Sequence, residues 1–336
     1  MKRAGGWLLG LLAAAAMIGG GWFALRNVLF SPTVIVVLMR DGDAHTVPAN
    51  ALFRGAAFAL EEREGRAGKF KVRLVQEAPE PSNSPGTAAW IGGSEVMNLK
   101  NNYAPISFSA YEVIPWEQGG YPITPGAVQI GANAATWIKR KIGPRVALIT
   151  DREIQATPFI SKGFITAAKE LNLEILREVE AAHKDLVAEI LQSRPDAVFY
   201  TGETAPYGTT FKLFSALRQN GFKGALVAGD AHPEVSFLAT RPDLVEGSFL
   251  VSPFAPAPAD LAARMGTVPG PHVTAGYFAM KTALETLDQA NSIEPEELFR
   301  AVQKLGSFGP TNDRPLRPCA IYAARNGIFE FVEELK

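Results

Sequence analysis

Arg145-Val146-Ala147-Leu148-Ile149-Thr150-Asp151 and, further on, Asp196-Ala197-Val198-Phe199-Tyr200-Thr201-Gly202 decide the fold. Each is a short apolar run that stops at small polar residues. Runs of this length predict strands buried on both faces, which is what a parallel sheet requires. Between them, Phe159, Ile160, Phe164, Ala167, Ala168 and Leu171 recur at helical spacing, 173–177 reads as another strand, and 186–191 supplies a second helix face. Downstream, a helix through Phe211, Phe214 and Leu217 leads to a strand at 225–228 with the turn Gly229-Asp230, and a strand at 247–252 closes the series. A helix over 126–141 opens it. Strand and helix alternate with short connections, the pattern of a parallel α/β sheet.

A similar series precedes this one. Thr33-Val34-Ile35-Val36-Val37-Leu38-Met39 is a continuous strand that ends at Arg40-Asp41-Gly42-Asp43. Ala49, Leu52, Phe53, Ala56, Ala57 and Leu60 then mark a helix, and 70–75 a second strand, a right-handed β-α-β crossover. Pro79, Pro81 and Pro85 make 77–87 a loop. Ala88-Ala89-Trp90-Ile91 runs into Gly92-Gly93-Ser94, and 104–109 ends at Ala110-Tyr111. After the Pro- and Ala-rich stretch 255–271, Val273, Tyr277, Met280, Leu284 and Leu287 line one side of a long helix. Pro295-Glu296-Glu297 starts another, with proline in the first turn where its missing N–H costs nothing. Asn326-Gly327 suits a type I′ hairpin turn near the C-terminus. No internal sequence repeat is evident.

Composition narrows the function. The chain has 336 residues, 47% hydrophobic and 20% charged, enough for two cores. A formal net charge of -1 leaves no basic excess for a phosphate backbone, so nucleic acid is not an expected partner. The one cysteine, Cys319, sits in an apolar run and is expected to be a buried small hydrophobe. Lys2 and Arg3 precede an uncharged run from Ala4 to Leu25, long enough to cross a bilayer. Residues 1–31 are therefore expected to be a signal or membrane anchor, preferably uncleaved, that leaves the remainder outside the cytoplasm.

Catalytic signatures are missing. His45, His183, His232 and His272 show no metal-binding spacing, and there is no G-x-S-x-G elbow or G-x-x-x-x-G-K-S/T loop. The chain is expected to be neither an enzyme nor a metal or cofactor protein. What remains are polar residues at strand ends, where open parallel sheets hold ligands. These are Asp41, Ser94, Ser109, Tyr111, Asp151, Glu203 and Asp230, with Tyr111 and Tyr207 as aromatic walls. Each also suits a turn or a helix cap.

The residues resemble a family. Phe53-Arg54-Gly55-Ala56-Ala57-Phe58-Ala59-Leu60, the segment 145–151, Asp196 to Gly202, Leu217-Arg218-Gln219-Asn220-Gly221-Phe222 and Ala275-Gly276-Tyr277-Phe278-Ala279 are similar, in order and spacing, to the type I periplasmic binding proteins. Within these they look like the leucine/isoleucine/valine-binding-like receptors of ABC transporters. The resemblance implies two doubly wound parallel-sheet lobes joined by a three-segment hinge, closing on a ligand. Lobe 1 would hold 32–122 and 254–309, lobe 2 would hold 123–253 and 310–336, and the crossings would fall near 116–124, 252–256 and 306–312. Ser94 and Ser109-Ala110-Tyr111 fall where the family holds a ligand carboxylate, and Asp230 where an acidic side chain holds the amino group.

Departures accompany the resemblance. Only the Pro-rich loop stands where the family has a helix and a strand before its I-G-x-x-S segment, so lobe 1 is trimmed. Ser107-Phe108-Ser109-Ala110-Tyr111 lacks the threonine usual there, and Gln155-Ala156-Thr157-Pro158 replaces the usual tyrosine. The expected ligand-binding set is Ser94, Ser109, Ala110, Tyr111, Thr157, Glu203 and Asp230. The expected role is a periplasmic monomer that hands a small polar solute, an amino acid or related molecule, to an ABC permease. The alternative is an anchored sensory or scaffolding domain with a degenerate site.

Overall fold

The computed structural model describes residues 31–39, 49–77, 86–92, 106–109, 120–153, 156–202, 209–229, 245–266, 269–305 and 319–335. The N-terminal run and residues 306–318 lie outside them.

The first sheet is built on β1 (Thr33–Met39), which is hydrogen-bonded on both sides, to β3 (Phe70–Glu77) and to β4 (Thr87–Gly92). β5 (Ser107–Ser109) and β6 (Gly120–Pro122) extend it in parallel, while β2 (Arg66–Ala67) adds an antiparallel edge, giving the order β2-β3-β1-β4-β5-β6. Central placement explains the unbroken apolar run, since Val36, Val37 and Leu38 are all fully buried. Neither β2 nor β6 was expected from the sequence, because a strand of two or three residues has no period to read.

Among the described residues, one helical layer packs on a face of this sheet. α1 (Ala49–Glu62) and the long α7 (Pro271–Ala290) pack side by side, with α6 (Ala259–Met265) and α8 (Pro295–Lys304) contributing Leu261, Leu298 and Val302 to the same apolar cluster. α6 forms within the Pro- and Ala-rich stretch and starts directly after Pro258, its N-cap.

The second sheet is larger. β7 (Arg145–Thr150), β8 (Glu174–Glu180), β9 (Ala197–Tyr200), β10 (Ala225–Gly229) and β11 (Phe249–Ser252) run parallel, and β12 (Cys319–Arg325) and β13 (Ile328–Leu335) finish it as an antiparallel hairpin. Asn326 and Gly327 take φ of 51° and 77°, the left-handed pair that a type I′ turn demands. Alternation along β7 is strict. Val146 and Leu148 join the core under α2 (Ala127–Lys141) and α3 (Thr157–Glu170), whereas Ala147 and Ile149 join the core under α4 (Leu186–Ser193) and α5 (Thr209–Gln219). Burying one such side chain contributes roughly 1.5–3 kcal/mol.

A bulge in β13 settles its far end. Tyr322 faces Phe331 but the preceding Ile321 faces Glu333, so Val332 is the extra residue. The bulge turns Glu333 toward α2, where its carboxylate accepts Trp137 Nε1 at 2.9 Å and Arg140 Nη2 at 2.6 Å.

Candidate functional site

Functional side chains in an open parallel sheet gather past the carboxyl ends of its strands, because every parallel strand delivers its loop to the same edge. In lobe 1, Gly92 ends β4 and Ser109 ends β5, and these two residues are register partners. The chain therefore leaves for Ser94 and for Ala110-Tyr111 from adjacent strand ends. Ser94, Ala110 and Tyr111 themselves lie outside the described residues, as does Asp41.

In lobe 2 the neighbouring strands β10, β9 and β7 end at Gly229, Tyr200 and Thr150. Asp230, Glu203 and Tyr207 follow these ends and are outside the described residues. Asp151 and Thr157 are described. Asp151 is 8% exposed, and its Oδ2 accepts the Tyr200 hydroxyl at 2.8 Å while Oδ1 accepts the Glu153 amide at 3.1 Å. Thr157, in the first turn of α3 and fully buried, donates its hydroxyl to the Asp151 carbonyl. Thr150 Oγ1 and Ser161 Oγ stand 2.7 Å apart in the same buried layer.

Tyr200 reaches Asp151 because of a glycine. A Cβ on Gly202 would fall on the Tyr200 hydroxyl, so the ring folds over a position that only glycine leaves open. Tyr200, Thr150 and Ser161 were not among the residues expected at the site. A tyrosine closing the otherwise apolar β9, with glycine two residues on, is the sequence signal that could have found the first of them.

Past the carboxyl end of β7 the chain gathers a carboxylate and several hydroxyls, all buried and hydrogen-bonded to one another or to the backbone within lobe 2. α3 opens here without a side-chain cap, its N-cap being Ala156. Its first-turn N–H groups and dipole favour negative charge at that end. Nothing described resembles a nucleophile with its base. His183 pairs with Glu189 at 2.9 Å on the surface, and the His272 ring packs edge-on against Phe254 with centroids 6.0 Å apart. Cys319 is fully buried, and burial pushes its thiol up to about 12 against a small opposing effect of the Asn133 side chain. Among the described residues, no cluster of His, Cys, Asp or Glu could hold a metal ion.

The passage between lobes is also legible. β11 ends in lobe 2 at Ser252, and Phe254 is already in the lobe 1 core. Ser252 Oγ accepts the Phe254 amide at 3.1 Å, while Tyr322 of lobe 2 donates its hydroxyl to the Phe254 carbonyl at 3.2 Å. Another passage runs from β6 through Ile123, in the lobe 1 core, to Ala127 in the lobe 2 core. The expected crossing near 306–312 lies outside the described residues.

Two α/β lobes with polar strand ends and chain passages between them are the frame of a hinged binding protein. The sequence profile of the periplasmic binding protein family matches residues 84–327. The chain belongs to that family.

Solved structures agree on the fold. The leucine-binding protein LivK of Thermotoga maritima superposes with a TM-score of 0.71 at 18% identity, covering 91% of this chain and 99% of its own. LivJ of Streptococcus pneumoniae, in complex with isoleucine, gives 0.68 at 14% identity over 91% and 99%. A solute-binding protein of R. palustris, in complex with benzoate, gives 0.66 at 13% identity over 90% and 96%. No curated protein matches. The chain is thus a member of an extracytoplasmic family of binding proteins, which supports a ligand-binding role. Among the described residues no helix is long and apolar enough to cross a membrane, and the expected anchor lies outside them.

Proposed function

We propose that this protein captures a small polar solute, an amino acid being the first candidate, between its lobes and presents it to an ABC permease. The observation that carries the reading is the buried Asp151 carboxylate, held by Tyr200 at the carboxyl end of lobe 2 among Thr150, Thr157 and Ser161. Asp230 and Glu203, which follow the adjacent β10 and β9, supply the acidic partner for a ligand ammonium, and Ser94 with Ser109-Ala110-Tyr111 receives the carboxylate. Lobe 1 is taken as 32–122 with 254–309 and lobe 2 as 123–253 with 310–336. The protein acts as a monomer, tethered by its N-terminal segment.

The relatives named above bind leucine-type amino acids or benzoate, which sets the panel for the test. Thermal shift of the full chain against the amino acids, benzoate and related acids is expected to show a rise in Tm for at least one, since a ligand bound only by the native state stabilises it by mass action. Asp230→Ala should abolish that rise with the unliganded Tm unchanged. Silence across the panel would sink the amino-acid reading. The sensory or scaffolding alternative draws on one observation, that Thr157, at the position of the family's tyrosine, spends its hydroxyl on the Asp151 carbonyl inside its own lobe.

A further inference from the structure

The two described passages between the lobes are held in unlike ways. In the passage out of β11, Phe254 is gripped from both sides. Its ring belongs to lobe 1, where it is 3% exposed in that lobe's core and edge-on to His272 of α7. Its backbone is held by lobe 2, since Ser252 Oγ accepts its amide and the Tyr322 hydroxyl donates to its carbonyl at 3.2 Å. Tyr322 is itself fixed in lobe 2. It sits in β12 between Leu250 and Phe331, and the Phe331 ring stands edge-on to its own with centroids 6.0 Å apart.

Rotation of one lobe against the other must loosen one of these grips, and their strengths are unequal. Drawing the Phe254 ring out of a close-packed core forfeits all of its apolar burial. Parting the Tyr322 hydroxyl from the carbonyl exchanges one neutral hydrogen bond, whose net contribution is small when another partner replaces it. The Ser252 bond spans only two residues of one strand end, so it travels with the chain. The hydroxyl–carbonyl contact is therefore the one that gives.

The passage from β6 to α2 carries the opposite condition. Ile123 lies in the lobe 1 core and Ala127 in the lobe 2 core. Between them Thr124 is 6% exposed, and among the described residues its Oγ1 has no hydrogen-bond partner. A buried hydroxyl left in this way raises the free energy of the arrangement that leaves it so.

We infer that the described lobe arrangement is one of two, and that Tyr322 is its catch. The hydroxyl on the Phe254 carbonyl holds this arrangement. The Thr124 hydroxyl favours the other, in which the catch is open and Thr124 is solvated or bonded. Two small, opposed contributions leave the hinge movable by a ligand of modest differential affinity for the two states. The device resides in the passages alone and does not depend on which solute the lobes hold.

The test is double electron–electron resonance on the unliganded full chain, spin-labelled through Arg54→Cys on α1 and Lys162→Cys on α3. Both positions are exposed and lie in the second turn of their helices, one in each lobe, and the buried Cys319 stays unlabelled. Two interlobe distances are expected, one of them that of this structure. Tyr322→Phe keeps the ring and removes the hydroxyl, and should move the population ratio about three- to tenfold away from this arrangement. Thr124→Val keeps the shape and removes the other hydroxyl, and should move the ratio by a similar factor toward it. Opposite shifts support the device. A single distance in all three proteins overturns it, as do shifts of the same sign or a wild-type ratio in either variant. A lower Tm for Tyr322→Phe with no shift in the ratio would make Tyr322 a packing residue of lobe 2, and overturns the inference as well.

Discussion

Lobe 1 and lobe 2 share a helix pair and differ in almost everything laid over it. In lobe 1 a Cβ on Gly55 of α1 would land on the Val273 carbonyl of α7, and a Cβ on Gly276 of α7 on the Leu52 carbonyl of α1. In lobe 2, Gly163 of α3 meets the Val128 carbonyl of α2, and Gly131 of α2 meets the Ile160 carbonyl of α3. In each lobe one helix follows the first strand of its parallel series, β1 or β7, and its partner enters after a passage from the other lobe. These helices touch backbone to backbone, which only glycine allows. The repeat is architectural: apart from the glycines the paired helices share little, so it does not show as a sequence repeat. Over this common unit, lobe 2 adds a second apolar core under α4 and α5, whereas the described helices of lobe 1 all feed one cluster. The helix pair is the part of the fold that cannot vary; the second layer can.

The largest effect is expected from breaking the shared unit. Gly55→Ala and Gly163→Ala should each destabilise by about 2–3 kcal/mol, the upper range for overpacking. Alanine is the better helix former by about 1 kcal/mol, so propensity alone predicts the opposite sign. Scanning calorimetry decides: a raised Tm for either variant would mean that the helices do not touch as described. Similar losses in both lobes would confirm that they share one device. A smaller effect tests what lobe 2 has by itself. Tyr200→Phe removes the hydroxyl held by Asp151 and is expected to cost about 1.5 kcal/mol, the low end for a hydrogen bond to a charged group. Urea unfolding measures it, and an unmoved midpoint would show that the contact adds nothing.

Much of this architecture is readable from the chain because a parallel sheet advertises itself. Val146 to Thr150 and Ala197 to Tyr200 are buried on both faces, and an apolar run closed by a polar residue has few other uses. The long helix under Val273, Tyr277, Met280, Leu284 and Leu287 shows its stripe for the same reason. β2, β6 and α6 do not, because two, three and seven residues are too few to reveal a period. The bulge at Val332 depends on β12 and is invisible in β13 alone. At the site, strand order predicted where polar residues emerge, and Asp151 and Thr157 stand at such an end. What they bond to was not readable. The Tyr200 hydroxyl reaches Asp151 across 49 positions through space that Gly202 leaves free, and that is a tertiary fact.

The smallest expected effect lies at the opposite end of the lobe 2 sheet. Arg145, at the start of β7, grips Asp196, which leads into β9, through Nη2 to Oδ1 at 2.8 Å, Nε to Oδ2 at 3.4 Å and its own amide to Oδ2 at 3.1 Å. The Arg145 guanidinium, first by hydrogen bonding, holds the Asp196 carboxyl below the usual carboxylate range; partial burial, next in size, opposes this, and the Arg145 amide and charge assist. A carboxyl group whose folded-state pKa is depressed contributes stability above its unfolded-state value and loses it as pH falls through the folded one. The Tm difference between the wild type and Asp196→Asn is therefore expected to be constant from pH 7 to pH 5 and to shrink as pH drops below about 4. It should be small, about one or two degrees, since Arg145 is half-exposed and solvent screens the pair. Salt separates the two contributions: high ionic strength should erode the charge-dependent part and spare the backbone bond. A difference that grew toward low pH would have the wrong sign for a depressed carboxyl group, and would leave the clamp at the base of lobe 2 with only a packing role.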